Sequence, residues 1–262
     1  MRFCVLGHRG LLGATVTRYL REQGHEVFTL NARFSLATAP QFVEDIIKTQ
    51  PDWCINCIGK KPPSDRNMLW EVNGHLPSQC SSRLPDSIGF IHASSDAIFR
   101  PDIPFRTAEE APDARDLYGS SKAYGEHSVV GPRRISFRCS FIGIGTDGSG
   151  NLLSWFIHSP HEAVTGYINH AWNGITSLEW AKVALATALD YQRGGRIVQL
   201  GTHPAVSKYE LLRMIRGIWS CPVRVVPGNA NESILRTLVP NAFSPPLIDQ
   251  MRELKNWNDS QP

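Results

Sequence analysis

Three short stretches carry the side chains that could do chemistry together. Tyr118-Gly119-Ser120-Ser121-Lys122 sets a phenol and an ammonium at i and i+4, which share one face if the segment is helical. An ammonium so placed favours the phenolate and is expected to lower a phenol pKa that starts near ~10. Tyr118 then serves as a general acid near neutral pH. Upstream, Ser94-Ser95-Asp96 closes an apolar run, so the Ser95 hydroxyl sits where open α/β sheets bind ligands and can polarise a carbonyl. The expected catalytic set is therefore Ser95 to orient, Tyr118 to give the proton, and Lys122 to tune Tyr118 and hold a cofactor ribose. On spacing alone the Tyr/Lys pair reads as a surface pair; its co-occurrence with the serine and a glycine loop makes it a site.

That loop is Gly7-His8-Arg9-Gly10-Leu11-Leu12-Gly13, between an N-terminal apolar run and an amphipathic stretch. Gly7, Gly10 and Gly13 let backbone approach a pyrophosphate at a helix N-terminus, although the spacing is GxxGxxG rather than GxGxxG. NAD enzymes place a carboxylate about 20 residues further on. This chain offers Leu30-Asn31-Ala32-Arg33 instead. Arg9 and Arg33 could meet a 2′-phosphate, which selects NADPH over NADH, or both could be solvated surface cations. The expected cofactor contacts are Gly7, Arg9, Gly10, Leu11, Gly13, Asn31, Arg33, Gly59 and Ser94, with Tyr118 and Lys122.

Elements that position these residues follow from hydrophobic periodicity. Strands are predicted at Arg2–Leu6, Glu26–Leu30, Trp53–Cys57, Gly89–His92 and Arg134–Cys139, and helices at Leu11–Gln23, Pro40–Thr49, Met68–Arg83 and Tyr118–Val130. The alternation predicts an α/β fold, a Rossmann-type doubly wound parallel sheet with a small C-terminal substrate lobe. The expected cofactor domain spans 1–145, completed by part of 171–200; 146–170 and 201–262 make the lobe. There, a loop over Gly145–Gly150 precedes a helix near Asn151–His158. A helix at Leu178–Tyr191, a strand at Arg196–Leu200, and helices at Ser207–Trp219 and Pro246–Leu254 follow.

Composition narrows the class. The 262 residues are 42% hydrophobic and 19% charged, with a net charge of +3 spread along the chain. No basic run suggests nucleic acid, no stretch of 18 apolar residues suggests a membrane span, and the apolar run before Gly7 is too short for a signal peptide. A cytoplasmic protein is expected. Six cysteines in strand-like segments read as reduced thiols. Cys54-Ile55-Asn56-Cys57 sits in a predicted strand that would aim its two sulfurs at opposite faces, unlike a redox or metal CxxC. His161, His170 and His203 lack metal-ligand spacing, and no metal is expected.

These motifs resemble the extended short-chain dehydrogenase/reductase family, in particular its dTDP-4-dehydrorhamnose reductase-like branch. Ser94-Ser95-Asp96-Ala97-Ile98-Phe99 is similar to the branch's S-T-D-x-V-F, and Tyr118 to Glu126 to its Y-G-x-S-K-x-x-G-E. Val72-Asn73 with Pro77 resembles V-N-x-x-x-P, and Arg138-Cys139-Ser140-Phe141 resembles R-T-S-W. By the same resemblance Asn151 contacts a sugar nucleotide and the Asn169 to Thr176 loop faces substrate, so Ser95, Asn151, Asn169 and Trp172 are the expected substrate contacts. Trp172 could stack on the ligand or anchor a turn.

The resemblance implies NADPH-dependent reduction of the C4 keto group of a 4-keto-6-deoxy nucleotide sugar, in surface-polysaccharide or deoxysugar synthesis, by a homodimer. Ala97 stands where GDP-fucose synthases carry a cysteine and where dehydratases carry part of an acidic pair, which leaves plain carbonyl reduction. Two alternatives stay open: a non-catalytic NADP-binding regulatory subunit, like that of methionine adenosyltransferase, and an NAD(P)-dependent sugar-nucleotide epimerase. Arg100-Pro101 replaces the usual Asp-Gly, and the C-terminal portion is short for the branch; nucleotide and sugar stay undetermined.

Overall fold

Alternate residues of the first strand, Phe3 and Val5 against Cys4 and Leu6, are buried in different cores, which requires a sheet covered on both faces. The computed structural model describes residues 1–145, 151–191 and 197–260. In the first part β1 (Arg2–Leu6), α1 (Leu11–Glu22), β2 (Glu26–Thr29), α2 (Ala39–Lys48) and β3 (Trp53–Asn56) form the first βαβαβ unit. Then come α3 (Arg66–Leu69), a wider helical turn at Trp70–His75, α4 (Leu76–Arg83), β4 (Gly89–Ala93), α5 (Leu117–His127) and β5 (Arg134–Arg138). With β10 (Ile197–Gln199) the sheet runs β2-β1-β3-β4-β5-β10, every pairing parallel. The order reverses between β1 and β3, where such sheets open a ligand crevice.

One face packs Phe3, Val5, Ile55 and Phe137 against Leu12, Val16 and Leu20 of α1 and Trp180, Ala181 and Ala184 of α7 (Ser177–Leu189). The other packs Cys4, Leu6 and Phe90 against Phe42, Val43 and Ile46 of α2 and Leu76 and Cys80 of α4. Each large side chain so buried contributes about 2–3 kcal/mol before entropy is subtracted. Cys54 belongs to the second core while Cys57 packs against the first, as strand alternation requires, and all six cysteines are free thiols.

The predicted helix over Met68–Arg83 is broken into three parts. Pro77 has no N–H to give to the Asn73 carbonyl, and the chain widens into the turn at Trp70–His75. That carbonyl is met by α5: a Cβ on Gly125 would lie 2.0 Å from the Asn73 oxygen, so only glycine allows the approach.

The remainder holds β6 (Phe141–Ile142), α6 (Leu152–Ile157), β7 (Ala163–Tyr167), β8 (His170–Trp172) and β9 (Ile175–Thr176). After α7 and β10 come β11 (Val206–Ser207), α8 (Lys208–Trp219), β12 (Arg224–Gly228), β13 (Ile234–Arg236) and α9 (Leu247–Asp259). β7 pairs with β12 and β8 with β13, both parallel, while β11 runs antiparallel to β8. Leu153, Phe156, Leu211, Ile215, Val223 and Met251 fill a separate core. None of these small pairings was expected from sequence: most of their strands have only two or three residues, and the two longer ones carry Gly or Pro. Of the expected lobe elements, loop residues 146–150 and the first residue of the strand beginning at Arg196 lie outside the described residues.

Candidate active site

The glycine loop joins β1 to α1 at the crevice. Gly7 has φ +83°, a left-handed conformation that favours glycine, and a Cβ on Gly13 would lie 2.1 Å from the Gly7 oxygen. Gly10 donates to that oxygen at 2.9 Å and caps α1 with no side-chain bond, so the first-turn amides of the helix have no side chain across them. Arg9 Nη2 donates to Asn31 Oδ1 at 2.8 Å, which joins the loop to the segment after β2. Arg33 is exposed in the same segment. Leu11 is half-buried at the start of α1, and Gly59 is exposed beyond β3, where an added Cβ would lie 3.7 Å from Asn73 Oδ1.

The chain brings Ser95, Tyr118 and Lys122 together past the end of β4. Ser95 starts a tight turn over Asp96–Ile98; its Oγ accepts from Ala97 N at 3.1 Å and donates to Asp96 Oδ1 at 3.3 Å. Asp116 caps α5 by accepting from Gly119 N at 2.8 Å, which puts Tyr118 in the first turn of the helix and Lys122 one turn on. Ser94 lies beside them, its N–H given to Phe137 O at 2.8 Å and its buried Oγ without a partner. His92 of β4 accepts from Asn56 Nδ2 at 3.1 Å through Nδ1, leaving a buried Nε2 unpartnered; burial and then Lys122 push its pKa well down.

Electrostatics differ from expectation at one point. Lys122 does not lower the Tyr118 pKa: burial raises it, and a hydrogen bond with Ser95 and the charge of Arg236 offset that in part. The Lys122 ammonium is instead aimed at the Ala93 carbonyl, 2.6 Å away. Burial lowers the Lys122 pKa to about 8 against the pull of Glu126 and Cys139. The Asp96 carboxyl, also buried, is pushed up by desolvation and drawn back by Arg236, the Ser95 hydroxyl and Lys61.

Two buried polar clusters hold this arrangement. Asn73 accepts from Lys60 N at 2.9 Å and donates to Lys60 O at 3.0 Å and Ser121 Oγ at 3.1 Å, tying the loop after β3 to α5. Glu126 and Arg138 form an ion pair at 2.6 Å with both side chains almost wholly buried, and Arg138 also donates to Gln199 Oε1 at 3.0 Å. The family-like asparagine, glutamate and arginine thus lock α5 against the sheet.

Asn151, Asn169 and Trp172, expected to touch substrate, each hydrogen-bond within the protein. Asn151 caps α6, accepting from Ser154 N at 2.9 Å and donating to Ser154 Oγ at 3.0 Å. Asn169 holds the main chain of Ala230 and Glu232. Trp172 donates to Ser140 Oγ, and its ring lies against Gly174, where a Cβ would clash. Sequence reasoning missed Asn173, which is buried and bonded to Thr202 and to both main-chain groups of Leu238. Arg236 was missed as well, since nothing in its sequence neighbourhood signals that the end of β13 reaches the Ser95 turn.

Residues 3–144, just over half of the chain, match the NAD dependent epimerase/dehydratase family. The chain belongs to that family. Within it, the chain is 32% identical over 157 residues to a "Probable low-salt glycan biosynthesis reductase Agl14" of Haloferax volcanii, covering 53% of this chain and 52% of that one. It is 27% identical over 138 residues to a "Probable dTDP-4,6-dihydroxy-2-methyloxan-3-one 4-ketoreductase" of Streptomyces antibioticus, covering 50% and 47%. The matched chain spans about half the length of both relatives. In fold it resembles a dTDP-4-dehydrorhamnose reductase of Bacillus anthracis in complex with NADP, at a TM-score of 0.84 and 15% identity over 99% of each chain. A second such reductase, from Clostridium acetobutylicum, gives 0.81 at 17% identity over 99% of this chain and 100% of that one. What is shared at this level is the fold, a large parallel sheet covered by helices.

Proposed function

We propose that this chain is an NADPH-dependent reductase of the C4 keto group of a 4-keto-6-deoxy nucleotide sugar, acting in deoxysugar or surface-glycan synthesis. The observation that carries the reading is the convergence of Ser95, Tyr118 and Lys122 past β4, on the same sheet as a glycine loop open to a pyrophosphate. Relatives named as glycan-biosynthesis reductase and 4-ketoreductase support it. The proposed division assigns the cofactor to 1–145 with part of 171–200, and the sugar nucleotide to 146–170 and 201–262.

The residues fit a nicotinamide dinucleotide: the cradle at Gly7 and Gly13 leaves no room for a Cβ, and α1 presents uncapped amides. Arg9 and Arg33 would face its 2′-phosphate, and Lys122 its ribose. The cofactor supplies hydride when bound. Ser95 orients the keto oxygen. Tyr118, kept protonated by burial, gives its hydroxyl proton to that oxygen as negative charge develops. Lys122, at about 8, exchanges a proton near neutral pH.

The test is NADPH and NADH oxidation against dTDP-, UDP- and GDP-linked 4-keto-6-deoxy sugars. Oxidation with one series supports the reading and names the nucleotide. Tight NADPH binding with no oxidation against any series overturns it in favour of a binding subunit.

A further inference from the structure

Arg236 lies at the end of β13, in the small lobe, yet its guanidinium reaches the turn that carries Ser95. Its Nη1 donates to the Phe99 carbonyl at 2.6 Å and more weakly to the Asp96 carbonyl at 3.4 Å. These two carbonyls bracket the turn over Asp96–Ile98. Arg236 is also the largest electrostatic influence drawing the buried Asp96 carboxyl towards ionisation, and it acts on Tyr118 in the same sense. The lobe therefore contributes a cation to the catalytic group from a residue more than a hundred positions downstream.

The consequence follows from hydrogen-bond direction. A serine hydroxyl has one proton to give. While Asp96 is ionised, Ser95 gives that proton to Asp96 Oδ1, and Tyr118 is left to donate to Ser95 or to the substrate oxygen. If Asp96 took up a proton, it could donate to Ser95 and the chain would reverse. Around Asp96 stand Arg236 from β13, Lys61 from the loop after β3, Tyr118 from α5, and the Cys139 thiol after β5. Among the charges drawing Asp96 towards ionisation, Arg236 alone also bonds the main chain of the turn, while Lys61 is exposed.

We propose that Arg236 is a positioning residue that ties the small lobe to the Ser95 turn and, through its charge beside Asp96, sets the direction of the Tyr118–Ser95–Asp96 hydrogen-bond chain. The inference rests on the reductase reading for its catalytic consequence, but its electrostatic part can be measured without turnover.

The experiment compares wild type, Arg236→Lys and Arg236→Met, with Tyr118→Phe as reference. Tyr118 ionisation is isolated as the ultraviolet tyrosinate signal lost in Tyr118→Phe. Loss of the cation in Arg236→Met should shift that ionisation to higher pH, while Arg236→Lys, which keeps the charge, stays near wild type. Where a keto sugar is turned over, kcat in Arg236→Met should fall about tenfold, as for loss of one charged hydrogen bond, with the alkaline limb of its pH profile displaced upward. An unchanged tyrosinate titration in Arg236→Met overturns the proposal. Should Arg236→Met not fold, Arg236→Gln takes its place: an upward shift of the Tyr118 ionisation in that variant supports the proposal, and an unchanged titration overturns it. Failure of wild type to oxidise NADPH with any keto sugar counts against the reductase reading alone, since the titration still reports on Arg236.

Discussion

The sheet's crevice and the asparagines of the small lobe use buried polar groups in different ways. At the sheet's crevice, polar atoms are left in hand: Ser94 Oγ and His92 Nε2 are buried without partners, and Tyr118 and Lys122 keep protons that burial has displaced from their ordinary pKa values. In the lobe, Asn169 and Asn173 spend both ends of their amides on nearby backbone, and Asn151 spends its own on the Ser154 N–H and hydroxyl. Long parallel strands satisfy their own main chain, which leaves side chains free for chemistry. Two- and three-residue strands do not, and asparagines make up the difference. The unpartnered and displaced groups at the crevice thus stand beside Ser95 and Tyr118, while these lobe asparagines are saturated.

The most severe test of that contrast is Tyr118→Phe, which removes a hydroxyl from the crevice without removing packing. Turnover should drop by about 10²–10⁴-fold while NADPH affinity stays within about twofold; steady-state rates with a fluorescence titration decide it, and near-normal turnover would remove Tyr118 from the proton path. Next in size is Glu126→Ala. It strands the buried Arg138 charge and should cost about 3–5 kcal/mol of folding stability in a denaturant titration. A loss under about 1 kcal/mol would mean that water or other carbonyls replace the carboxylate.

A pH prediction separates site from scaffold. The Lys122 pKa is about 8 in the fold against 10.5 for the ordinary side chain. Between those values the unfolded chain binds the extra proton, so stability from this group rises as pH increases through that window and is least favourable below it. Melting temperatures of wild type minus Lys122→Met should therefore climb from pH 7 to pH 10, and a flat difference would show that burial does not penalise the ammonium. The smallest effect belongs to Asn151→Ala. As a helix cap it should cost about 1 kcal/mol of stability with KM changed by less than about threefold, whereas a direct ligand contact would raise KM about tenfold or more. The second result would blur the contrast between the regions.

Much of the sheet half was legible because its signals are local. The alternation in β1, the apolar spacing in α1 and the i, i+4 placement of Tyr118 and Lys122 are set by strand and helix periods within a few residues. Even so, the expected helix over Met68–Arg83 widened at Trp70–His75, because Pro77 withholds a hydrogen bond whose effect depends on where Gly125 packs. Lobe strands were missed because pairs such as Ile234–Arg236 with His170–Trp172 join segments over sixty residues apart, with no period long enough to show in either.

By itself, then, the sequence determined which side chains could meet at the sheet's crevice, since glycine spacing, strand alternation and helix periodicity are properties of short segments. Tertiary structure decided what those side chains can do. Burial raises the Tyr118 pKa where a neighbouring lysine alone would lower it, and packing turns that lysine to the Ala93 carbonyl. Folding of the lobe carries Arg236 to the Ser95 turn. Desolvation and long-range charge depend on everything that surrounds a group, and the surroundings of a residue exist only once the chain has folded.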